Sequence, residues 1–266
     1  MSFVHSNGVR LWYQRAGRGE PVLLIMGSGA AGHVWDMYQT PALRQAGYQT
    51  VIFNNRGVAP SDAPGGRYAF AELVDDTRGL IEALGLAPCR IVGTSLGAMI
   101  AQELAVTAPH LVRSAVLMAT RARSDTLRRA LSLADRRLRE SGIELPAGFD
   151  AIHSVLRMLS PRTFDDEAAV ANWLELFELG SGADSPTGQA WIDTDTDRRP
   201  RLRGITAPCR VISFTDDVVA PPHLVAEVAD AIPDSDLVEI PGCGHLGHLE
   251  RPELVNAAIV EFFDKH

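Results

Sequence analysis

Short, unbroken apolar runs recur along this chain at 21–26 (PVLLIM), 49–53 (QTVIF), 89–93 (CRIVG), 113–118 (RSAVLM), 209–214 (CRVISF) and 236–240 (DLVEI). A strand that is apolar at successive positions turns apolar side chains to both faces of a sheet, so both faces must be covered. Stretches with helical apolar spacing at 35–46, 68–84, 96–107, 223–232 and 253–263 supply that cover. Strands alternating with helices predict an α/β fold with a mostly parallel sheet and helices on both faces. Ahead of the series, residues 2–5 and 9–15 flank Asn7-Gly8, a dipeptide suited to a tight turn with positive φ, and an antiparallel hairpin is expected there. The total is a sheet of about eight strands.

The alternation breaks once, between Met118 and Pro208, where helical spacing persists without a convincing strand. The expected organisation is an α/β core of residues 1–120 and 196–266, with residues 121–195 inserted between two core strands as a helical cap. In the cap, RARSDTLRRALSLADRRLRE (121–140) sets Leu127, Leu131, Leu133 and Leu138 on one face and arginines on the other, with Asp125, Asp135 and Glu140 interleaved. It reads as a solvated amphipathic helix, not as an anion-binding surface. Residues 169–179 carry an apolar stripe through Val170, Trp173, Leu174 and Phe177, expected either to roof a site or to pack on the core.

Composition narrows the function classes. The 266 residues are 46% hydrophobic and 22% charged, the balance of a globular enzyme with a substantial core. A net charge of -8 argues against a nucleic-acid surface. No run reaches the roughly 18 apolar residues of a membrane span, and the N-terminus lacks a basic segment followed by an apolar one, so a soluble, cytoplasmic protein without a membrane partner is expected. Cys89, Cys209 and Cys243 are odd in number and lack CxxC spacing, which implies neither a disulfide framework nor a metal knuckle. His33 and His223 have no partner at ligand spacing, so no metal is expected. A small-molecule substrate is the expected partner, and a homodimer is left open.

The sharpest chemical signal is Gly93-Thr94-Ser95-Leu96-Gly97, which ends one apolar run and opens a helical stretch. A serine on so tight a strand-to-helix turn needs small neighbours, and the following helix aims its N-terminus at a developing oxyanion. Ser95 is therefore the candidate nucleophile, and a serine hydroxyl needs a base near neutral pH. His245, in Pro241-Gly-Cys-Gly-His after the last strand, supplies it; His248 is the rival but falls where a helix would begin. The acid is expected in the loop after the penultimate strand, where Asp216 and Asp217 both stand and only one can face the histidine. Cys243 reads as a small, partly buried side chain, and Asp75-Asp76 as helix surface.

On these motifs the chain resembles the α/β-hydrolase superfamily over its whole length, in the serine-nucleophile, cap-bearing branch of esterases, lactonases and thioesterases. The chain order Ser, Asp, His matches. Asn55-Arg56-Gly57-Val58-Ala59-Pro60-Ser61-Asp62 resembles the family's R-G-x-G-x-S-D loop, and Gly244-His245 followed by Glu250-Arg251-Pro252-Glu253 resembles its histidine segment. The resemblance implies Asp217, four residues before Pro221, as the acid, with Asp216 capping the turn. It also implies the backbone N–H groups of Ser28 and Leu96 as an oxyanion hole. The chain departs from the family at Met26, where histidine is common before the glycine, and at Asn54 and Ala59, where aspartate and glycine are frequent. Met26, Gly27, Trp35, Leu96 and the stripe containing Trp173 and Phe177 are expected to line an apolar pocket.

The implied activity is hydrolysis of an ester, lactone or thioester of a medium-sized, largely apolar substrate through an acyl-enzyme on Ser95, with no cofactor. The same three groups serve an acyltransferase, a cyclase or a carbon–carbon bond hydrolase, and they also occur in ligand receptors of this fold. A cofactor-free peroxidase-like side activity is compatible with them. Serine in place of aspartate excludes the haloalkane dehalogenase and epoxide hydrolase classes, whose covalent intermediate forms on a carboxylate. Gly27–Gly32 spells G-x-G-x-x-G, but the next strand ends in Asn54-Asn55 and not in an acid, so a dinucleotide is not expected.

Overall fold

The computed structural model describes residues 2–180 and 188–266. Strands β1 (Ser2–Ser6) and β2 (Val9–Ala16) pair antiparallel across Asn7-Gly8, both of which take positive φ as the turn requires. Strands β3 (Pro21–Ile25), β4 (Gln49–Phe53), β5 (Cys89–Thr94), β6 (Val112–Met118), β7 (Cys209–Phe214) and β8 (Ser235–Ile240) run parallel to one another. The eight strands form one sheet in the order β1-β2-β4-β3-β5-β6-β7-β8, with β2 antiparallel to β4.

The helices are α1 (Gln39–Gln45), α2 (Phe70–Ala83), α3 (Leu96–Thr107), α4 (Thr126–Ser141), α5 (Ala147–Met158), α6 (Glu167–Gly180), α7 (Arg199–Leu202), α8 (Pro222–Ala231), α9 (Gly247–Glu250) and α10 (Pro252–Lys265). Among the described residues none is long and apolar enough to cross a membrane. The single helix expected at 35–46 is broken: Gly32–Met37 forms a 3-10 turn and α1 starts afresh at Gln39. Pro41 explains the break, since it lacks the N–H that a continuous helix would use there and fits only in a first turn.

Alternation along each strand divides the core. Leu23, Ile25, Val51, Phe53 and Ile91 face α2, α3 and α8, where they meet Leu73, Leu80, Leu104 and Val228. Val22, Leu24, Ile52 and Val92 face the other way, onto Trp35, Leu43, Val255, Ile259 and Phe262. Each such fully buried aliphatic side chain contributes about 1.5–3 kcal/mol, so continuous apolar runs are what a two-faced sheet demands.

The stretch expected as a cap, 121–195, carries α4, α5 and α6 between β6 and β7, and its residues 181–187 lie outside the described residues. Helix α4 starts at Asp125, whose side chain accepts from the Arg128 N–H, and ends at Gly142 in the left-handed region. Its leucine face is more open than an amphipathic helix implies, for Leu127, Leu133 and Leu138 are exposed and no residue of α4 is buried. Helix α5, which packs on α6, sinks Ala151 and Val155 into the protein.

Candidate active site

All six parallel strands end at one edge of the sheet, the edge where ligands collect in such folds. Strand β5 reaches it at Thr94, and α3 begins at Leu96, so Ser95 occupies the reversal with φ 53° and ψ -120°. A non-glycine residue held there stores roughly 1–3 kcal/mol of strain and needs rigid surroundings. The flanking glycines allow the geometry. A Cβ on Gly97 would stand 2.1 Å from the Ile25 carbonyl oxygen, and one on Gly93 would stand 2.7 Å from Ala98 Cα. The Ser95 N–H donates to the Met118 carbonyl at 3.0 Å, tying the turn to the neighbouring strand.

The loops after β7 and β8 bring two further groups to this turn. His245 Nε2 lies 3.1 Å from Ser95 Oγ, and its Nδ1 lies 2.8 Å from Asp217 Oδ2. Asp217 is buried, and its Oδ1 accepts from the N–H groups of Val219 (2.7 Å) and Ala220 (2.9 Å). A carboxylate held by two amides beside Nδ1 requires the imidazole to carry its proton on Nδ1, which turns the Nε2 lone pair toward the serine.

The two rivals go elsewhere. Asp216 accepts from Ser160 Oγ at 2.6 Å and so joins the β7 loop to the chain just past α5. His248 is fully buried under Trp35, ring centroids 5.1 Å apart, and neither ring nitrogen has a hydrogen-bond partner. Burial pulls its pKa down to about 3, so it is neutral. Glu250 adds a second tie: Oε1 accepts from the Ser160 N–H at 3.0 Å and Oε2 from the Gly244 N–H at 2.6 Å, next to His245.

A cavity of about 160 Å3 opens at Ser95, lined among others by Ser28, Leu96, Arg121, Gln189 and Thr194. Larger depressions of about 560 and 470 Å3 lie elsewhere, around Trp12 and Pro60 and around Phe70 and Arg201, and Ser95 belongs to neither. Leu96 opens α3, so its N–H has no acceptor within the helix. Ser28 is held by Gln189, whose Oε1 accepts from the Gly29 N–H (3.0 Å) and Ser28 Oγ (3.3 Å) while Nε2 donates to the Arg56 carbonyl (2.7 Å).

The expected pocket lining needs correction. Leu96 does line the cavity, and Gly27 abuts the serine, since a Cβ there would stand 3.2 Å from Ser95 Cβ. Met26 and Trp35 do not; both are core residues on the α10 face, where the indole is drawn under the sheet against His248. Trp173 and Phe177 stack on each other at 5.8 Å on half-buried α6 and stay out of the cavity, because α6 packs on α5. Of the residues that replace them, Arg121 belongs to the stretch expected as a solvated helix face, but the helix begins only at Thr126 and leaves Arg121 in the cavity wall, while Gln189 and Thr194 went unnoticed in the sequence. Arg121 carried a usable signal, standing just past the end of a parallel strand. Gln189 and Thr194 reach the site only through tertiary packing of the insertion.

Two bland readings also change. Asp76 is buried, not surface, and pairs with Arg56 through Nε and Nη2, each at 2.6 Å. Cys243 is wholly buried, and burial pushes the thiols of Cys89, Cys209 and Cys243 up to about 12. Among the described residues no group of three or more His, Cys, Asp or Glu side chains could hold a metal ion.

A family model for the α/β hydrolase fold matches residues 20–252. The chain belongs to the α/β-hydrolase-fold family. One family member, a Mycobacterium tuberculosis protein under the provisional name non-heme bromoperoxidase BpoC, is 45% identical over 96% of this chain and 98% of its own. Its crystal structure superposes with a TM-score of 0.91, covering 96% of both chains. A protein of Azorhizobium caulinodans with the provisional name carbamate hydrolase RutD is 28% identical over 98% of each chain. The structure of a thermophilic esterase from Thermogutta terrifontis, 26% identical, superposes with a TM-score of 0.84 over 100% of this chain and 99% of that one.

Proposed function

We propose that this α/β hydrolase is a serine hydrolase that forms an acyl-enzyme on Ser95 and releases it to water, acting on an ester, lactone or thioester. The observation that carries the reading is the hydrogen-bonded line from Asp217 through His245 to Ser95 Oγ, with the serine on a strained turn. As Oγ attacks the acyl carbon, Nε2 takes the hydroxyl proton. The imidazolium then returns that proton to the leaving group. Asp217 holds the tautomer through its contact with Nδ1. Water, deprotonated by the same Nε2, attacks the acyl-enzyme and regenerates the serine. The N–H groups of Ser28 and Leu96 take the negative charge of each tetrahedral intermediate, a contribution of about 10²- to 10³-fold per donor in enzymes of this kind.

The insertion serves as a cap, tied to the histidine loop by Glu250 and to the β7 loop by Asp216. A cavity of about 160 Å3 with arginine, threonine and glutamine in its wall fits a small, partly polar acyl group better than the medium-sized apolar one expected from the sequence. The esterase and carbamate hydrolase names among the relatives support hydrolysis. The bromoperoxidase name of the relative at 45% identity favours a second reading, in which hydrogen peroxide replaces water as acceptor at the acyl-enzyme. Peroxide- and carboxylate-dependent bromination of monochlorodimedone, lost in Ser95→Ala, tests that reading.

Labelling by a fluorophosphonate probe, with peptide mapping, tests the first. Covalent label on Ser95 that is absent in Ser95→Ala and weakened in His245→Ala supports an activated serine. A folded protein that takes no label and hydrolyses no nitrophenyl ester rejects it.

A further inference from the structure

Arginines buried in this protein come with carboxylates. Arg56 pairs with Asp76 and Glu72, Arg90 with Glu20, Arg198 with Glu103, and Arg210 with Asp236 and Glu261. Arg121, in the wall of the Ser95 cavity, differs from all of them. Its guanidinium is held only by neutral acceptors: the Val219 carbonyl from Nη1 (3.1 Å), Thr194 Oγ1 from Nη2 (3.4 Å) and Ser124 Oγ from Nε (3.3 Å). A guanidinium has more N–H donors than these contacts use. The carboxylates in its field, Asp195, Asp217 and Asp125, are engaged with Arg136, His245 and Arg128. Burial pulls the Arg121 pKa below its ordinary value, opposed in part by those three carboxylates. Among the described residues it is a partly buried cation without an ion-pair partner, and the loss of water around such a charge is costly until an anion meets it.

We infer that Arg121 binds a carboxylate on the substrate, so that the acyl group received by Ser95 belongs to a small dicarboxylic or oxo-dicarboxylic acid. The inference rests on the acyl-enzyme reading and names its substrate class. Ser95 and Arg121 line the same cavity of about 160 Å3, so an acid of a few carbon atoms reaches from the serine to the guanidinium. The planar guanidinium fork matches a carboxylate, and Thr120 and Thr194 in the same wall offer it further hydroxyl donors. The contacts to Val219, Ser124 and Thr194 fix the fork in place before substrate arrives, so little side-chain freedom is lost on binding.

The test compares monomethyl glutarate with methyl pentanoate, esters of equal acyl length that differ in the terminal carboxylate, by pH-stat hydrolysis with wild type, Arg121→Met, Arg121→Lys and Ser95→Ala. Wild type is expected to favour the anionic ester. Arg121→Met is expected to lower kcat/KM on it about 10- to 100-fold, mainly through KM, and to leave the neutral ester within about twofold. Arg121→Lys, which keeps the charge without the fork, is expected to retain part of the preference. Equal rates on the two esters, or an equal loss on both in Arg121→Met, would make Arg121 a strut between loops and overturn the assignment. If wild type hydrolyses neither ester, the Ser95 reading fails by itself. Calorimetric binding of glutarate then decides on Arg121: binding lost in Arg121→Met upholds the carboxylate site, and binding that is absent or unchanged in the variant overturns it.

Discussion

Asp217 meets His245 through one carboxylate oxygen, 2.8 Å from Nδ1, while its other oxygen is filled by the amides of Val219 and Ala220. The carboxylate is thus fixed before any substrate binds. Asp217→Asn would present an amide N–H or a carbonyl at Nδ1 and release the tautomer, so kcat on an ester is expected to fall about 10²- to 10⁴-fold. Asp216→Asn, acting on a carboxylate that faces Ser160, is expected to change kcat by less than about tenfold. Steady-state kinetics on the two variants side by side checks the assignment, and a reversed order of effects would reject it.

Gly97 faces the end of β3 with no room for a side chain, since a Cβ would sit 2.1 Å from the Ile25 carbonyl oxygen. The obstacle is backbone, so relaxation must move α3 or the strand. Gly97→Ala is expected to cost about 3 kcal/mol or more, even though alanine is the better helix former by about 1 kcal/mol. Urea unfolding measures it, and a variant as stable as wild type would contradict the packing.

Arg56 and Asp76 form a buried bidentate pair, and the Arg56 carbonyl also receives Gln189 from the cavity wall. Asp76→Ala leaves the buried Arg56 guanidinium with only the half-exposed Glu72 as its partner and is expected to destabilise by about 3 kcal/mol. Asp75→Ala, one residue away, breaks only a solvent-facing bridge to Arg78 and should change stability by less than about 0.5 kcal/mol. Denaturant midpoints for both variants should separate sharply, and similar midpoints would count against the buried pair.

His248 is neutral in the folded protein, its pKa drawn down to about 3 by burial. In the unfolded chain it titrates near 6.5. The folded-state value is the depressed one, so the contribution is complete above about pH 6.5. It drains as pH falls toward 3, where only the unfolded chain has been taking up the proton, by up to about 1.4 kcal/mol per pH unit. His248→Phe keeps an aromatic ring against Trp35, and neither imidazole nitrogen has a hydrogen bond to lose. Between pH 6.5 and 4.5 the wild-type stability curve should fall more steeply than that of the variant, and parallel curves would rule this coupling out.

Much of this molecule is determined locally. Each strand run had to be apolar at successive positions to sit between two helix layers, and Gly93 and Gly97 had to lack side chains for Ser95 to stand on its turn, so the strands, the helices and the turn that carries Ser95 are legible in the chain itself. Pro41 could have been read the same way, as the point where a helix restarts. The cavity wall belongs to another scale. Whether Trp35 lines a pocket or lies beneath the sheet, and whether Asp216 or Asp217 meets the histidine, depends on where loops far apart in sequence come to rest. Arg121 acquires its character only when Thr194 and Val219 close around it with no carboxylate paired to it among the described residues, because the charge environment of a side chain is set by neighbours that sequence spacing does not encode.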